Sequence, residues 1–540
     1  MSALGVRGIE ENTKSLAQKL NLPYLNLSIS TISGSAISLL DENLARAGQM
    51  AVIDRDGKKL RIAVADPEIP QTQNNIAKLI ADGYVVTLYI VSPLSLAEAW
   101  KRYQIERKTE KSQLDAISIK ESEISDLQKQ IEGITDLKDK IAKISTTQLL
   151  NVLVAGALKV DASDIHFEPE EDKIRLRYRI DGVLQDILDF PSVDYGHVLS
   201  RIKLLSGLKL NLHDVPQDGR FTIRQEDTDL EIRTSVLPGA YGENIVMRIL
   251  DPRRIRQRIE ELGMREDTLE LVRTLLKKTT GAIITTGPTG AGKTTTLYAF
   301  INQVNSPDVK IITIEDPIEY HIDGISQTQV DPTAGYDFAN GLRSIVRQDP
   351  DVILVGEIRD AETADIAMQA SLTGHLVFST LHTNDAAGAI PRLIDFNIKP
   401  ITIAPAMNAA MAQRLVRRLC LACRKLNKVT DSDLAAFQKY LSPLPEGGPV
   451  SKIKIETDMQ IYYPQKCKEC NMTGYKDRIG VYEIFVIDPE MEKLIITSPS
   501  ITDIKNFAIK KGMVTMLQDG LLKVVEGLTS VDEVLRVIGV

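Results

Sequence analysis

One eight-residue run constrains this chain more than any other feature. Gly287-Pro-Thr-Gly-Ala-Gly-Lys-Thr294 follows the short apolar run Ala282-Ile-Ile-Thr-Thr286 and precedes Thr295 to Val304, which reads as a helix. Strand, glycine-rich loop and helix in that order make a P-loop, so the segment belongs to an α/β fold. Gly287, Pro288, Thr289, Gly290, Ala291 and Gly292 let backbone N–H groups curl around phosphates, and the helix N-terminus beginning near Thr295 adds partial positive charge. Lys293 is placed to reach the β and γ phosphates of ATP, and the Thr294 hydroxyl to bind Mg²⁺.

Three further segments supply polar groups to such a loop. Asp351-Val-Ile-Leu-Val-Gly-Glu357 reads as a buried strand that delivers the Glu357 carboxylate at its end. A parallel strand beside a P-loop places such an acid where it can hold Mg²⁺ or its water. Ile312-Thr-Ile-Glu-Asp-Pro-Ile-Glu-Tyr320 ends a strand in Glu315, Asp316 and Glu319, and carboxylates there can align a water for attack on a γ phosphate. In Thr373 to Thr383, His375 opens a strand and His382 closes it.

The rest of the chain divides by composition. At 540 residues it is too long for one core and suits about three domains. Residues 1–100 alternate helical and strand-like patterns, with a strand near Leu60–Ala65 and a turn at Asp66-Pro67, and are expected to be a small docking domain. From 101 to 145 proline is absent, Gly133 is the only glycine, and Ile117, Ile124, Leu127, Ile131, Ile134 and Ile141 fall on heptad seam positions that Lys120 and Lys138 interrupt. That segment predicts a long connector helix or a short coiled coil. Residues 146–252 return to mixed structure. Lys173 to Ile180 alternates charged and apolar residues up to the turn Asp181-Gly182, which predicts a half-buried strand and a hairpin; Leu230 to Val236 repeats the alternation. A basic linker at 253–262 leads into the motif-bearing domain, 263–540.

The four cysteines form two pairs, Cys420-Leu-Ala-Cys423 and Cys467-Lys-Glu-Cys470. Two C-x2-C knuckles match the tetrahedral thiolate set of a structural Zn²⁺ and use every cysteine. This places a zinc subdomain at about 415–480. The net charge of −8 and the 26 aromatics give no basic stripe or stacking platform for nucleic acid. No run of about 20 apolar residues and no signal peptide is visible, so the expectation is a cytoplasmic protein whose membrane contact is peripheral.

The ordered motifs at 287–294, 312–320, 351–357 and 373–385 resemble those of the type II secretion and type IV pilus assembly ATPases (the GspE/PilB group). In that group they are a Walker A loop, an acidic box, a Walker B strand ending in Gly-Glu, and a histidine box. The likeness runs from about 146 to 540, is weak over 1–100 and is absent over the helical linker. It implies a RecA-like motor domain preceded by a PAS-like α/β domain, a hexameric ring, and an inner-membrane platform protein as partner. It implies that Glu319 polarises the attacking water while Glu357, His375 and His382 shape the site; Glu315 is a further candidate nucleotide-binding residue. It also implies that arginines of the middle domain complete the ATP site; Arg179 and Arg233 fit those positions best. Assembly and secretion members carry the tetracysteine zinc site, whereas retraction members generally lack it. Some pilus members bind cyclic di-GMP through duplicated N-terminal motifs; no such repeat is seen here, and that ligand is not expected. The leading expectation is a motor for a pilus or pseudopilus, and the alternative is a DNA-uptake or conjugation-type translocase.

Overall fold

The computed structural model describes residues 3–27, 34–37, 39–81, 83–101, 103, 127, 146–223, 229–251, 257–441 and 455–539. The heptad segment, apart from residues 101, 103 and 127, and the basic run from Arg253 to Arg256 lie outside the described residues. The chain forms two compact units, Met1–Ser118 and Ile119–Val540.

In the first unit, β1 (Met50–Asp56), β2 (Lys59–Val64) and β3 (Val85–Ile90) make a three-stranded sheet in that order. The first pair is antiparallel and the second parallel. The strand expected near Leu60–Ala65 is β2, and its Leu60, Ile62 and Val64 are fully buried in the core with Ile90 and Met50.

The second unit holds two larger sheets. The middle one is antiparallel, in the order β6-β5-β4-β9-β8-β7. Its strands are β4 (Asp164–Pro169), β5 (Lys173–Ile180), β6 (Val183–Pro191), β7 (Gln217–Ile223), β8 (Leu230–Gly239) and β9 (Gly242–Leu250). β5 follows the sequence pattern: Ile174, Leu176, Tyr178 and Ile180 point inward, and the basic residues between them do not. The β5–β6 turn has positive φ at both Asp181 (49°) and Gly182 (82°), the left-handed pair a two-residue hairpin needs. Helices Thr146–Lys159 and Ser192–Leu205 cover the apolar face. Tyr178, wholly buried, donates to the Leu153 carbonyl at 2.6 Å and ties the first helix to the sheet. The opposite, polar face is what reaches the nucleotide loop.

The third sheet has seven strands in the order β12-β11-β13-β14-β10-β15-β18. These are β10 (Gly281–Thr286), β11 (Ile311–Glu315), β12 (Ser326–Gln329), β13 (Val352–Val355), β14 (Leu376–Leu381), β15 (Met407–Leu419) and β18 (Tyr475–Val486); β16 (Lys425–Lys428) and β17 (Gln460–Tyr463) pair separately. All its pairings are parallel except β15 with β18. β10, β13 and β14 are buried along their whole length, which is why they read as unbroken apolar runs rather than alternations. Helices on both faces close two cores. A buried charge cluster locks the C-terminal helices to this sheet: Asp519, 1% exposed, accepts from Arg265 and Lys523 at 2.5 Å each and from the Tyr482 amide at 2.8 Å. Because β10, β11, β13 and β14 run parallel, their C-terminal ends open on one edge, where an α/β sheet binds its ligand.

Candidate active site and metal centre

The P-loop stands at that edge. β10 ends at Thr286, and the helix begins at Lys293, two residues earlier than the sequence pattern predicts. Gly292, the residue before the helix, has φ 88°, and a Cβ there would lie 2.8 Å from the Gln413 amide nitrogen. Glycine therefore meets both a left-handed backbone and a close approach at this position. Gln413 also accepts from the Thr296 hydroxyl at 2.8 Å, which braces the helix against β15.

Lys293 folds back over its own loop, donating to the carbonyls of Gly287 at 2.7 Å and Pro288 at 3.2 Å. Burial holds its pKa below the ordinary lysine value; the Glu357 charge opposes this and the Arg414 charge adds to it. Burial lowers Arg414 as well, and among the described residues its side chain donates to the carbonyls of Gln413 and Asn384, at 3.0 Å each. Two half-buried cations beside one loop, with carbonyls as their hydrogen-bond acceptors, form a site suited to a polyanion.

The cleft around the loop measures about 820 Å³ and is lined by Pro288 through Thr295 together with Glu315, Asp316, Glu319, Glu357 and His382. Glu357 lies just past β13, paired to Arg359 and to His382 Nε2 at 3.3 Å. Glu315 is 3% exposed, and its carboxylate is occupied by the hydroxyls of Tyr298 and Thr313 and the Gln327 amide. It forms the floor of the cleft and holds the end of β11 in place.

Glu319 stands across the cleft and is engaged by the middle sheet. Arg233 Nη1 lies 3.3 Å from its carboxylate, Nη2 donates to the Ile318 carbonyl at 2.9 Å, and Nε donates to Glu231 at 3.0 Å. Burial raises the Glu319 pKa, and the charges of Arg233 and Arg248 work against that rise. The origin of those arginines is a matter of register. Arg179 on β5 is opposite Asp164 on β4, Asp164 is opposite Arg248 on β9, Arg248 is opposite Arg233 on β8, and Arg233 is opposite Arg220 on β7. Asp164, buried, holds Arg248 at 2.9 Å and Arg179 at 3.4 Å. Arg179, Asp164 and Arg248 line the P-loop cleft.

His375 requires correction. β14 runs parallel to β10 with Gly281 opposite Leu376 and Thr286 opposite Leu381. His375 therefore stands beside the start of β10, about 20 Å from the P-loop end at roughly 3.3 Å per residue. Its Nδ1 meets the Ala370 carbonyl at 2.9 Å, and it is a structural residue of that turn. His382, at the other end of the same strand, is in the cleft. The sequence reading also missed Arg248, Arg359 and Asp164. Arg359 could have been found from its place two residues after Glu357; Arg248 and Asp164 are visible only once the strand register is known.

The four cysteine sulfurs lie within 4.8 Å of one another, and none is disulfide-bonded. Cys420–Cys467 and Cys423–Cys470 are each 3.9 Å apart, and Cys467–Cys470 is 3.6 Å. Four thiolates about 2.3 Å from a tetrahedral ion would stand roughly 3.8 Å apart. The amides of Cys467 and Gly474 point at the Cys470 sulfur at 3.4 and 3.2 Å, as donors to a thiolate would. This cluster can hold a metal ion.

Comparison with known proteins agrees with this geometry. The profile of the family described as Type II/IV secretion system protein matches residues 139–536. The chain belongs to this family. It is a P-loop ATPase. The MshEN domain profile matches residues 20–133. Type II secretion system protein E of Aeromonas hydrophila is 43% identical over 402 residues, 74% of this chain and 77% of its own. The type IV pilus assembly ATPase PilB of Myxococcus xanthus is 35% identical over 529 residues, 97% of this chain and 91% of its own. The kinship therefore extends through the N-terminal unit and the connecting segment, further than the motifs alone disclose. In solved structures, the Legionella pneumophila ATPase DotB shares the fold at a TM-score of 0.51, with 20% identity over 72% of this chain and 95% of its own. Among the described residues, no helix is long and apolar enough to cross a membrane.

Proposed function

We propose that this family member is a motor: a homohexameric ATPase at the cytoplasmic face of the inner membrane that drives extension of a type IV pilus or a type II secretion pseudopilus through a membrane platform protein. The observation that carries this reading is the contact between Arg233 of the middle sheet and Glu319 of the ATPase sheet, 3.3 Å apart. A nucleotide that competes for Arg233 changes the fit between two domains, and such differential contacts are what let a ligand drive motion.

In this reading Lys293 leaves the Gly287 and Pro288 carbonyls to neutralise the β and γ phosphates. Thr294 would hold Mg²⁺, with Glu357 lining the same cleft, and the ion would supply charge to neutralise the phosphates. Glu319 takes the proton of the attacking water. His382 and Arg359 fix Glu357, and Arg179, Arg233 and Arg248 present positive charge to the γ phosphate from the middle domain. Residues 146–252 act as a PAS-like lever, residues 1–100 as a docking domain, and the tetracysteine module at about 415–480 carries structural Zn²⁺. The test is the shape of the purified ring by electron microscopy, with and without a non-hydrolysable ATP analogue. Wild-type rings should contract around the analogue and Arg233→Ala rings should not. A chain that stays monomeric at all concentrations, or rings indifferent to nucleotide, would remove the motor reading.

A further inference from the structure

Glu483 is a buried acid outside the residues that line the ATP cleft. It stands on β18, 3% exposed, opposite Ala412 of β15. Val481 and Phe485, on the same face of the strand, are buried apolar residues, so packing alone does not ask for a charge at 483. Its two oxygens hold different segments. Oε1 accepts from the Ala386 amide at 2.8 Å, and Oε2 accepts from the Met516 amide at 3.0 Å. Burial raises the Glu483 pKa, while those two amides and the Lys505 charge work against the rise. Hydrogen bonds from amides to a carboxylate are among the strong ones, and a buried carboxylate that takes one from each of two segments ties them together.

One of these segments is a fixed base. Met516 opens the helix Met516–Val525, whose positive end favours an anion at that point. The same helix returns to β18 through Asp519, which accepts from the Tyr482 amide at 2.8 Å. The other segment belongs to the ATP site. Ala386 lies in the loop that leaves β14 after Leu381. That loop carries His382, whose Nε2 is 3.3 Å from Glu357, and the Asn384 carbonyl, which accepts from Arg414 at 3.0 Å. The Asp385 carbonyl accepts from Thr286, the last residue before the P-loop, at 3.3 Å. The Asp385 carboxylate meets Lys505 of the helix Ile501–Lys510 at 3.2 Å. Asp385 and Ala386, just beyond His382, are therefore both moored to the C-terminal helices.

We propose that Glu483 is a positioning residue for ATP hydrolysis, acting through the 382–386 loop to hold His382 against Glu357 and the Asn384 carbonyl against Arg414. The carboxylate touches no part of the nucleotide. It fixes the backbone from which His382 reaches into the cleft, and it fixes it against a helix that is itself tied to β18. Groups in such a site must be held closely to keep their effect, and a small displacement from a distant change lowers turnover. The inference rests on the reading of His382 and Glu357 as parts of the ATP site, and it needs neither a ring nor motion between domains.

The test is steady-state hydrolysis by the full metal-loaded chain, counted per site that binds a fluorescent ATP analogue. Glu483→Gln keeps the volume but turns one oxygen into an NH₂ group, which cannot accept from an amide. Its kcat should fall by about 10- to 100-fold, the loss that a displaced site shows. KM for ATP should stay as in wild type, since Lys293 and the loop amides still hold the phosphates. In a His382→Ala background the same change should cost about threefold at most, because the side chain it positions is gone. Hydrogen exchange of residues 382–386 should quicken in Glu483→Gln while β10 keeps its protection. A folded Glu483→Gln protein with wild-type kcat overturns the proposal. So does a loss of the same size with and without His382, which would make Glu483 a residue of general stability. His382→Ala that alone turns over like wild type would remove the reading of the site, and the inference with it. Should Glu483→Gln not fold, Lys505→Ala, at a partly exposed position, cuts the companion tie. It should lower kcat several-fold with His382 present and not in its absence, and is judged by the same comparison.

Discussion

If Glu319 is the base proposed above, replacing Arg233 by Ala tests how it is kept ready. Glu319 must be ionised to accept a proton from water, yet burial favours its protonated form, and the first charge opposing that is Arg233. Two unit charges 3.3 Å apart attract by about 5 kcal/mol at an effective dielectric of about 20. The two side chains keep 25% and 31% of their surface open to water, and screening reduces this to about 2 kcal/mol. At 1.36 kcal/mol per tenfold, the ionised population of Glu319 falls about 30-fold on the acid side of the profile. The kcat/KM of Arg233→Ala, which reports the free enzyme in which the pair forms, should therefore drop by up to about 30-fold relative to wild type toward the acid end of a profile from pH 5.5 to 9. It should recover as rising pH ionises Glu319 unaided. Arg233→Lys keeps the charge and should restore much of the acid side. It cannot make three contacts at once to Glu231, Ile318 and Glu319, so it should not restore full turnover. A profile for Arg233→Ala that is lowered equally at every pH would mean that the arginine acts on phosphate alone, and the reasoning about Glu319 would be wrong.

Other outcomes follow from the same geometry. Lys293→Ala should abolish hydrolysis, measured by phosphate release, since Lys293 is the charged side chain that the loop itself carries; turnover near wild type would exclude the P-loop as the active site. Glu319→Gln should slow hydrolysis by about 10²–10⁴-fold while leaving binding of a fluorescent ATP analogue intact. A mild effect there, with total loss in Glu357→Gln, would exchange the two roles. Elemental analysis should find one Zn per chain. Cys420→Ser with Cys423→Ser should release it and lower the protection of residues 455–480 from hydrogen exchange, leaving β10 unaffected; full occupancy in that variant would exclude those thiols as ligands.

Much of this site is legible in one dimension because its parts sit at strand ends. Lys293, Glu319, Glu357 and His382 each follow or close a run of buried apolar residues, and a parallel sheet brings such ends to one edge. The same logic misplaces His375. A strand has two ends, and sequence proximity to His382 does not reveal that Leu376–Leu381 separates them by its full length. The arginines were only half legible for a related reason. The alternation in Lys173–Ile180 shows that Arg179 faces away from the core, but its alignment with Asp164, Arg248 and Arg233 depends on pairings between residues up to 84 positions apart. The cysteines were the opposite case, since their chemistry fixes the geometry and the spacing was sufficient.

The row of aligned side chains on the middle sheet works as a ruler. Adjacent strands stand about 4.8 Å apart, so Arg179, Asp164, Arg248 and Arg233 occupy graduations on one rigid bar rather than tips of independent loops. No one of them can advance toward a phosphate or retreat from it without carrying the others. Slipping any one strand by a single residue would turn its mark to the opposite face of the bar. Under the motor reading proposed above, a lift of this bar would withdraw the positive charges as a set, in one step, so that the site is thrown like a switch and not dimmed.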